Sequence, residues 1–369
     1  MEKHVGIRLL KQSRSSVKLT LLIIMHLKGI KVIKHVDNSS AQDMLGYDPL
    51  EKLLVALYER GYRFVTVTPT THRLVNERAE NAWAKTLQDI FGWNRPFTQE
   101  SIDADIFELM HAAGVLRAVD DGWQSLVRVS SVADKLFVHS GFPTEAQDAV
   151  FFGPDTYRYI NAMYHSLATL QGKVQRCVDI GTGSGAAAIL LAEALPYAEI
   201  FGVDINEKAL AFSTTNAKAN SIANVHFQFS NLLNDLQGEF DVIIANPPYL
   251  VDPSARAYRH GNGPLGAQLS LDIVDTALTR LSPGGTLMLY TGVAIVEGHD
   301  PFLEEVKRKT KEAGCTYQYS EIDPDIFSEE LATEAYARAD RIAAVWLLVS
   351  RPTIEADNLL QLISTVAEP

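Results

Sequence analysis

From Val174 onward, short apolar runs alternate with longer amphipathic stretches. The pattern predicts strands at 175–180, 199–204, 224–229, 240–245 and 285–291, and helices at 184–195, 206–220, 267–281 and 300–313. Strands that alternate with helices of this length build a parallel sheet covered on both faces. Two further apolar runs, near 315–322 and 341–350, flank the acidic, helix-like stretch from Asp325 to Asp340 and predict an antiparallel edge. The expected fold is α/β: a Rossmann-like, seven-stranded, mostly parallel sheet with an antiparallel last strand.

The residues before the sheet follow another pattern. Asp48-Pro49 is a helix cap followed by proline at the first helical position, Leu50, Leu53, Leu54 and Leu57 form one apolar stripe, and Gly61 ends it. Tyr62 to Thr68 alternates like a strand. Leu74, Ala82, Trp83, Leu87 and Ile90 predict the inward side of a long helix from Thr71 to Phe91. Another helix carries Ile102, Ile106, Leu109, Met110 and Ala113. A ribbon follows, from Val115–Val119 through a turn at Asp120-Asp121-Gly122 to a second strand at Leu126–Val129. Helices followed by a ribbon predict a small helical, winged-helix-like module over roughly 45–140, read as a packing module or a substrate platform. Winged helices often bind nucleic acid, but the helix that would enter a groove here bears Asp103, Asp105 and Glu108, whose charge opposes that use. A helix through Leu170 then joins module to sheet, with Phe152 and Tyr157 as either site or core aromatics.

Composition is that of an ordinary globular chain, 47% hydrophobic and 21% charged, and a length of 369 residues allows two domains. The net charge of −12 gives no footprint of a protein gripping long nucleic acid. Charge is uneven, because residues 1–36 hold eight Lys or Arg against Glu2 alone. Their apolar run, Leu19–Met25, is far too short for a bilayer, so no membrane association is expected. Cys177 and Cys315 read as small buried hydrophobes in a reducing, cytoplasmic compartment, with no metal-ligand company. The expected organisation is a basic flexible extension at 1–40, a substrate module at 41–148, a catalytic domain at 149–352 and a tail at 353–369.

Three strand ends point at one crevice. Val178–Gly185 reads as a buried strand, a glycine-rich turn and a helix start, where Gly181, Gly183 and Gly185 let backbone approach a ligand or turn with positive φ. Alone the motif is weak, and with Ala186 it also satisfies the looser dinucleotide fingerprint, Asp204 standing where an NAD ribose acid would. Asp179 separates the readings. A carboxylate ending the first strand suits the ammonium of S-adenosylmethionine (SAM) and sits badly beside a pyrophosphate. Asp204 can accept both ribose hydroxyls, and Asn231 is placed either to meet adenine or to form a turn.

The decisive stretch is Asn246-Pro247-Pro248-Tyr249 after the apolar Val242-Ile243-Ile244. A conjugated NH2 nitrogen is a poor nucleophile because its lone pair is delocalised. The Asn246 side-chain oxygen and the Pro247 carbonyl can accept its two hydrogens and turn the lone pair toward a methyl donor. The prolines stiffen the lip, and Tyr249 offers a flat face for stacking.

These motifs resemble class I SAM-dependent methyltransferases, specifically the small-domain group that includes HemK-type glutamine methyltransferases and several RNA base N-methyltransferases. The resemblance covers about 150–350. It implies SAM as cofactor, with contacts at Asp179, Gly181, Gly183, Asp204 and Asn231, the candidate set being completed by Thr182, Gly185, Ile205 and Asn246. It implies a macromolecular substrate, protein or RNA, whose planar nitrogen is held by Asn246, Pro247 and Tyr249. His260–Gly266 is similar to the glycine-bearing segment those enzymes carry after the lip. The chain departs from HemK-type enzymes at Gly153-Pro154-Asp155-Thr156, where they carry a proline-arginine-proline segment, in the ribbon of its N-terminal module, and at Asn231, where they carry a second acid. The expected function is N-methylation of a protein glutamine or an RNA base. The alternatives are an adenine-N6 nucleic-acid methyltransferase, an NAD-dependent oxidoreductase and a non-catalytic SAM-binding protein. Arg256, Tyr258, Arg259 and His260 are a candidate anion-reading loop or an ordinary exposed one.

Overall fold

The computed structural model describes residues 24–27, 30–33, 48–170 and 172–353. The expected tail from 354 and the basic extension, save its two short strands, lie outside the described residues. Those strands, β1 (Ile24–Leu27) and β2 (Ile30–Ile33), pair antiparallel.

In helix α1 (Pro49–Glu59) the Asp48 side chain accepts the Leu50 amide at 3.0 Å, and Leu50, Leu53, Leu54 and Leu57 are buried as the stripe requires. Tyr62–Thr68 keeps its alternating burial but is not a ladder strand. It runs extended beside the later hairpin, where the Ser131 hydroxyl replaces a ladder acceptor by taking the Phe64 amide at 3.1 Å. The expected long helix from Thr71 to Phe91 is broken into α2 (Pro69–Asn76), a turn at Ala79–Asn81 and α3 (Leu87–Phe91). The break has a local cause. Asp89 accepts the Lys85 and Thr86 amides while the Thr86 hydroxyl accepts that of Asp89, a capping box that starts a new helix. Of the expected inward side, Ile90 is buried, whereas Leu74 is 53% exposed.

After α4 (Ala104–Ala112) the chain forms two hairpins, where the sequence predicted one ribbon. Strand β3 (Leu116–Val119) pairs with β4 (Gly122–Ser125), and β5 (Val127–Val132) with β6 (Lys135–Ser140). The short, polar β4 is invisible to periodicity. It exists because Gly122 lets the chain pass Phe97, where a Cβ would meet the Phe97 carbonyl oxygen at 2.4 Å, and because Trp123 bridges Phe97.

Helix α5 (Pro154–Leu167) leads into the sheet. Its later elements are β7 (Arg176–Ile180), α6 (Ala186–Ala194), β8 (Glu199–Asp204), α7 (Glu207–Ala219), β9 (Val225–Phe229), β10 (Phe240–Ala245), α8 (Gln268–Arg280), β11 (Leu281–Val296), α9 (Pro301–Glu312), β12 (Thr316–Asp323) and β13 (Ala339–Ser350). Strand order is β12-β13-β11-β10-β7-β8-β9, with β13 antiparallel to both neighbours and the remaining pairs parallel. The expected seven strands and antiparallel edge are present. Helix α6 is buried from Ala186 to Ala192, its charged Glu193 reaching the surface only in the last turn, and Val178, Val242, Ile243 and Ile244 are fully buried. Each such side chain contributes about 1.5–3 kcal/mol relative to exposure. Among the described residues no helix is long and apolar enough to cross a membrane.

The N-terminal elements dock on α7. Ala209 and Phe212 join the core of Leu53, Leu57, Leu136 and Val138. Beside them the buried Asn216 side chain accepts the Val138 amide at 2.8 Å and donates to the carbonyls of Val138, at 3.1 Å, and Ser184, at 2.8 Å. One amide thereby ties hairpin, helix and glycine turn together.

Candidate functional site

The order of the sheet reverses between β7 and β10, since β8 and β9 extend it one way and β11 the other. A parallel sheet opens a crevice at the carboxyl ends of its strands at such a reversal. A cavity of about 200 Å³ lies there, lined by Asp179, Gly181, Thr182, Gly183, Asp204, Ile205, Asn231, Asn246 and Pro247. The expected site residues are thus brought to one space, with two exceptions. Gly185 and Tyr249 do not line it.

Gly181, Gly183 and Gly185 all have positive φ, +72°, +56° and +76°, which explains the residue choice locally. At Gly185 there is a further reason, since a Cβ would stand 2.7 Å from that of Ser213. This glycine serves helix packing. The Gly183 amide donates to Asp204 Oδ2 at 2.9 Å, so the turn is fixed to the end of β8 and this N–H is already engaged.

Asp179 is 2% exposed and accepts the hydroxyls of Thr182, at 2.8 Å, and Tyr159, at 3.1 Å. Burial raises its pKa to about 7, against the opposing effect of those two donors. A carboxylate so buried with neutral partners alone gains from a cation brought by a ligand. Asp204, also raised by burial, accepts the Asn206 amide at 2.9 Å. Ile205 presents an apolar side chain that is 53% exposed, and Asn231 is exposed at the rim.

A second cavity, about 280 Å³, adjoins the first and shares Asn246, Pro247, Pro248, Phe151 and Tyr258 with it. Its other walls include Phe142, Pro143, Tyr249, Leu250 and Phe327. The Asn246-Pro247-Pro248 lip is therefore the boundary between two cavities. Asn246 is half-buried, and among the described residues its side chain makes no hydrogen bond.

Tyr249 is less open than the expected stacking face. It is 7% exposed, its hydroxyl donates to Asp155 Oδ2 at 2.5 Å, and Phe327 meets its ring edge-on at 6.0 Å. The segment after the lip folds back over it, the Leu250 amide donating to the Arg259 carbonyl and the Gly261 amide to that of Leu250. Gly261 and Gly266 make this possible, because Cβ atoms there would stand 2.7 Å from Tyr249 Cα and 2.3 Å from its carbonyl oxygen.

The candidate anion-reading loop is committed elsewhere. Arg256 grips buried Asp252 with two nitrogens, at 2.6 and 2.9 Å, which with Arg259 holds that carboxyl well below the usual range, and Arg259 pairs with Glu330. Tyr258 donates to the Thr144 carbonyl, and His260 Nδ1 accepts the Asp252 amide. Phe152 lines neither cavity but stacks on Phe137 and His139 in the core, and the Tyr157 hydroxyl accepts the Thr66 amide. Phe151 lines both cavities instead. Sequence reasoning also missed Tyr159 and Asp155. Neighbouring aromatics on a helix give no sign of which faces the crevice, and an acid after a helix-starting proline reads as an ordinary first-turn residue.

A family profile described as methyltransferase small domain matches residues 162–319. The release factor glutamine methyltransferase of Deinococcus radiodurans is 35% identical over 127 residues, 31% of this chain and 44% of that protein. That of Synechocystis sp. is 30% identical over 201 residues, 50% of this chain and 64% of that protein. The chain thus spans less than two thirds of the length of these curated relatives. Among solved structures, a methyltransferase from Pyrococcus furiosus is 20% identical, with a TM-score of 0.38 over 52% of this chain and 83% of that one.

Proposed function

We propose that this protein, whose residues 162–319 match a methyltransferase small-domain profile, transfers a methyl group from SAM to a planar NH2 nitrogen, that of a protein glutamine in the cytoplasm. The observation that carries this reading is the lip of Asn246, Pro247 and Pro248 standing between two adjoining cavities, one for donor and one for acceptor.

The residues of the first cavity fit SAM. Asp179 would take the ammonium and carry its charge once paired, Asp204 the ribose hydroxyls, and Ile205 and Asn231 the adenine. Bound there, SAM supplies an electrophilic methyl group on a sulfonium. The chain does the rest by orientation. The Asn246 side-chain oxygen and the Pro247 carbonyl accept the two N–H hydrogens, hold the nitrogen facing the first cavity and favour its pyramidal form. The two prolines bring no N–H of their own to compete for those acceptors. No strong general base is needed, because the nitrogen becomes acidic as it is alkylated. Phe151 and the folded-back 250–266 segment restrict water at the junction.

A protein acceptor is favoured over RNA because Arg256 and Arg259, the cations beside the second cavity, are spent on Asp252 and Glu330, leaving little with which to grip a phosphate chain. The relatives named as release factor glutamine methyltransferases support the same choice. In this reading residues 149–352 are the transferase unit and 41–148 the substrate module. Calorimetric titration tests the donor side. SAM should bind and NADH should not, whereas NADH binding without SAM would favour an oxidoreductase.

A further inference from the structure

One buried carboxylate near the lip has no part in the proposed chemistry. Asp155, in the first turn of α5, is 6% exposed. Its Oδ2 accepts the Tyr249 hydroxyl at 2.5 Å, and its Oδ1 accepts the Tyr290 hydroxyl at 2.9 Å and Arg158 Nη1 at 2.9 Å. Arg158 continues to Asp323 on β12 at 2.9 Å. Three donors from the lip, from β11 and from α5 itself thus converge on one side chain, at a helix N-terminus whose dipole favours negative charge. Buried carboxylates are retained at low cost only when so fully hydrogen-bonded.

The Tyr249 ring is set on this anchor. A Cβ at Gly292 would stand 2.4 Å from the ring carbons, so the absent side chain is what seats it against β11. Tyr290 and Phe327 close on it at 6.5 and 6.0 Å. The ring has one position, and it directly follows the two prolines that carry the acceptor groups.

We propose that Asp155 is a positioning residue for methyl transfer, fixing Tyr249 by its hydroxyl and through it the direction of the Asn246-Pro247-Pro248 lip. It lines the second cavity, but both carboxylate oxygens are engaged by Tyr249, Tyr290 and Arg158, so it acts through Tyr249 and not on the acceptor. This rests on the transferase reading above, and it relocates the function of Tyr249 from stacking face to tether. A misplacement of about 1 Å in an oriented pair can cost on the order of a hundredfold in rate, so a tether is worth conserving energetically even though it binds nothing.

The test uses the full chain with Tyr249→Phe, which removes one hydroxyl and no packing, then Asp155→Asn, then both. Label transfer from tritiated SAM into cell extract is measured at saturating SAM, SAM affinity by calorimetry, and amide exchange by mass spectrometry. The expected result is a loss of turnover of roughly tenfold or more in each single variant with SAM affinity within about twofold, and a double variant no worse than the poorer single one. Exchange should quicken over 249–261 and stay unchanged over 181–188. Full turnover in Tyr249→Phe, or losses that multiply in the double variant, would overturn the proposal. If the wild-type chain labels nothing, the transferase reading is at fault, and the exchange pattern still decides whether the tether exists.

Discussion

Tyr159 on α5 donates its hydroxyl to Asp179 at the end of β7, 3.1 Å away, while Thr182 holds the other carboxylate oxygen. The covering helix and the glycine turn thereby meet on a single buried acid. Both donors are neutral, and burial still raises the acid to about 7. The protein keeps a carboxylate that is costly to ionise until a cation arrives.

That cost has a sign. The folded pKa lies above the unfolded value, so Asp179 contributes stability that is complete below about pH 4 and is lost as pH rises through about 7. Comparing wild type with Asp179→Asn isolates this group. In urea melts without ligand, the stability of the wild type relative to the variant should fall between pH 4 and pH 7, and saturating SAM should remove the fall. A constant difference across that range would refute the shift.

SAM affinity should follow the same acid. Asp179→Asn should weaken binding about tenfold to a hundredfold at pH 8, the value of a charge-assisted hydrogen bond. The wild type should approach the variant near pH 5.5, since the ligand must then displace a proton. Calorimetry at the two pH values measures both.

Gly185→Ala tests the glycine turn as structure. With φ of +76° and Ser213 Cβ 2.7 Å away, the methyl group should cost at least ~1–3 kcal/mol in denaturant unfolding. SAM affinity should fall with it, because the turn and Asp204 are fixed to each other. Retention of both stability and affinity would contradict that geometry.

Asn216→Leu should destabilise the chain by about 2–4 kcal/mol, because it strands the amide and carbonyl of Val138 and the carbonyl of Ser184. Thermal melts would show whether the N-terminal elements then unfold ahead of the sheet, as loss of their shared clamp requires.

Much of this was legible beforehand. Buried parallel strands are continuous apolar runs, so β7, β8 and β10 stand out, and the residues ending them, Asp179, Asp204 and Asn246, fall at one crevice by topology alone. Most of what was not legible depends on contacts distant in sequence. The Thr86–Asp89 capping box that breaks the expected helix is itself local, yet periodicity over 71–91 hid it. Strand β4 depends on Phe97, and the Asp155 anchor on tyrosines 94 and 135 residues away. The loop of Arg256 and Arg259 looked free in sequence because nothing there shows that Asp252 and Glu330 already hold it.

The lip of Asn246, Pro247 and Pro248 is assigned to hold the nitrogen that is methylated. Its most direct test is label transfer from tritiated SAM into a cell extract by wild type and by Asn246→Ala, each checked for SAM binding. Protease-sensitive label is expected with the wild type, and with the variant a loss of about a hundredfold to a thousandfold at nearly unchanged SAM affinity. Undiminished transfer by Asn246→Ala would contradict the role given to the lip, and label removed by ribonuclease instead of protease would contradict the protein acceptor.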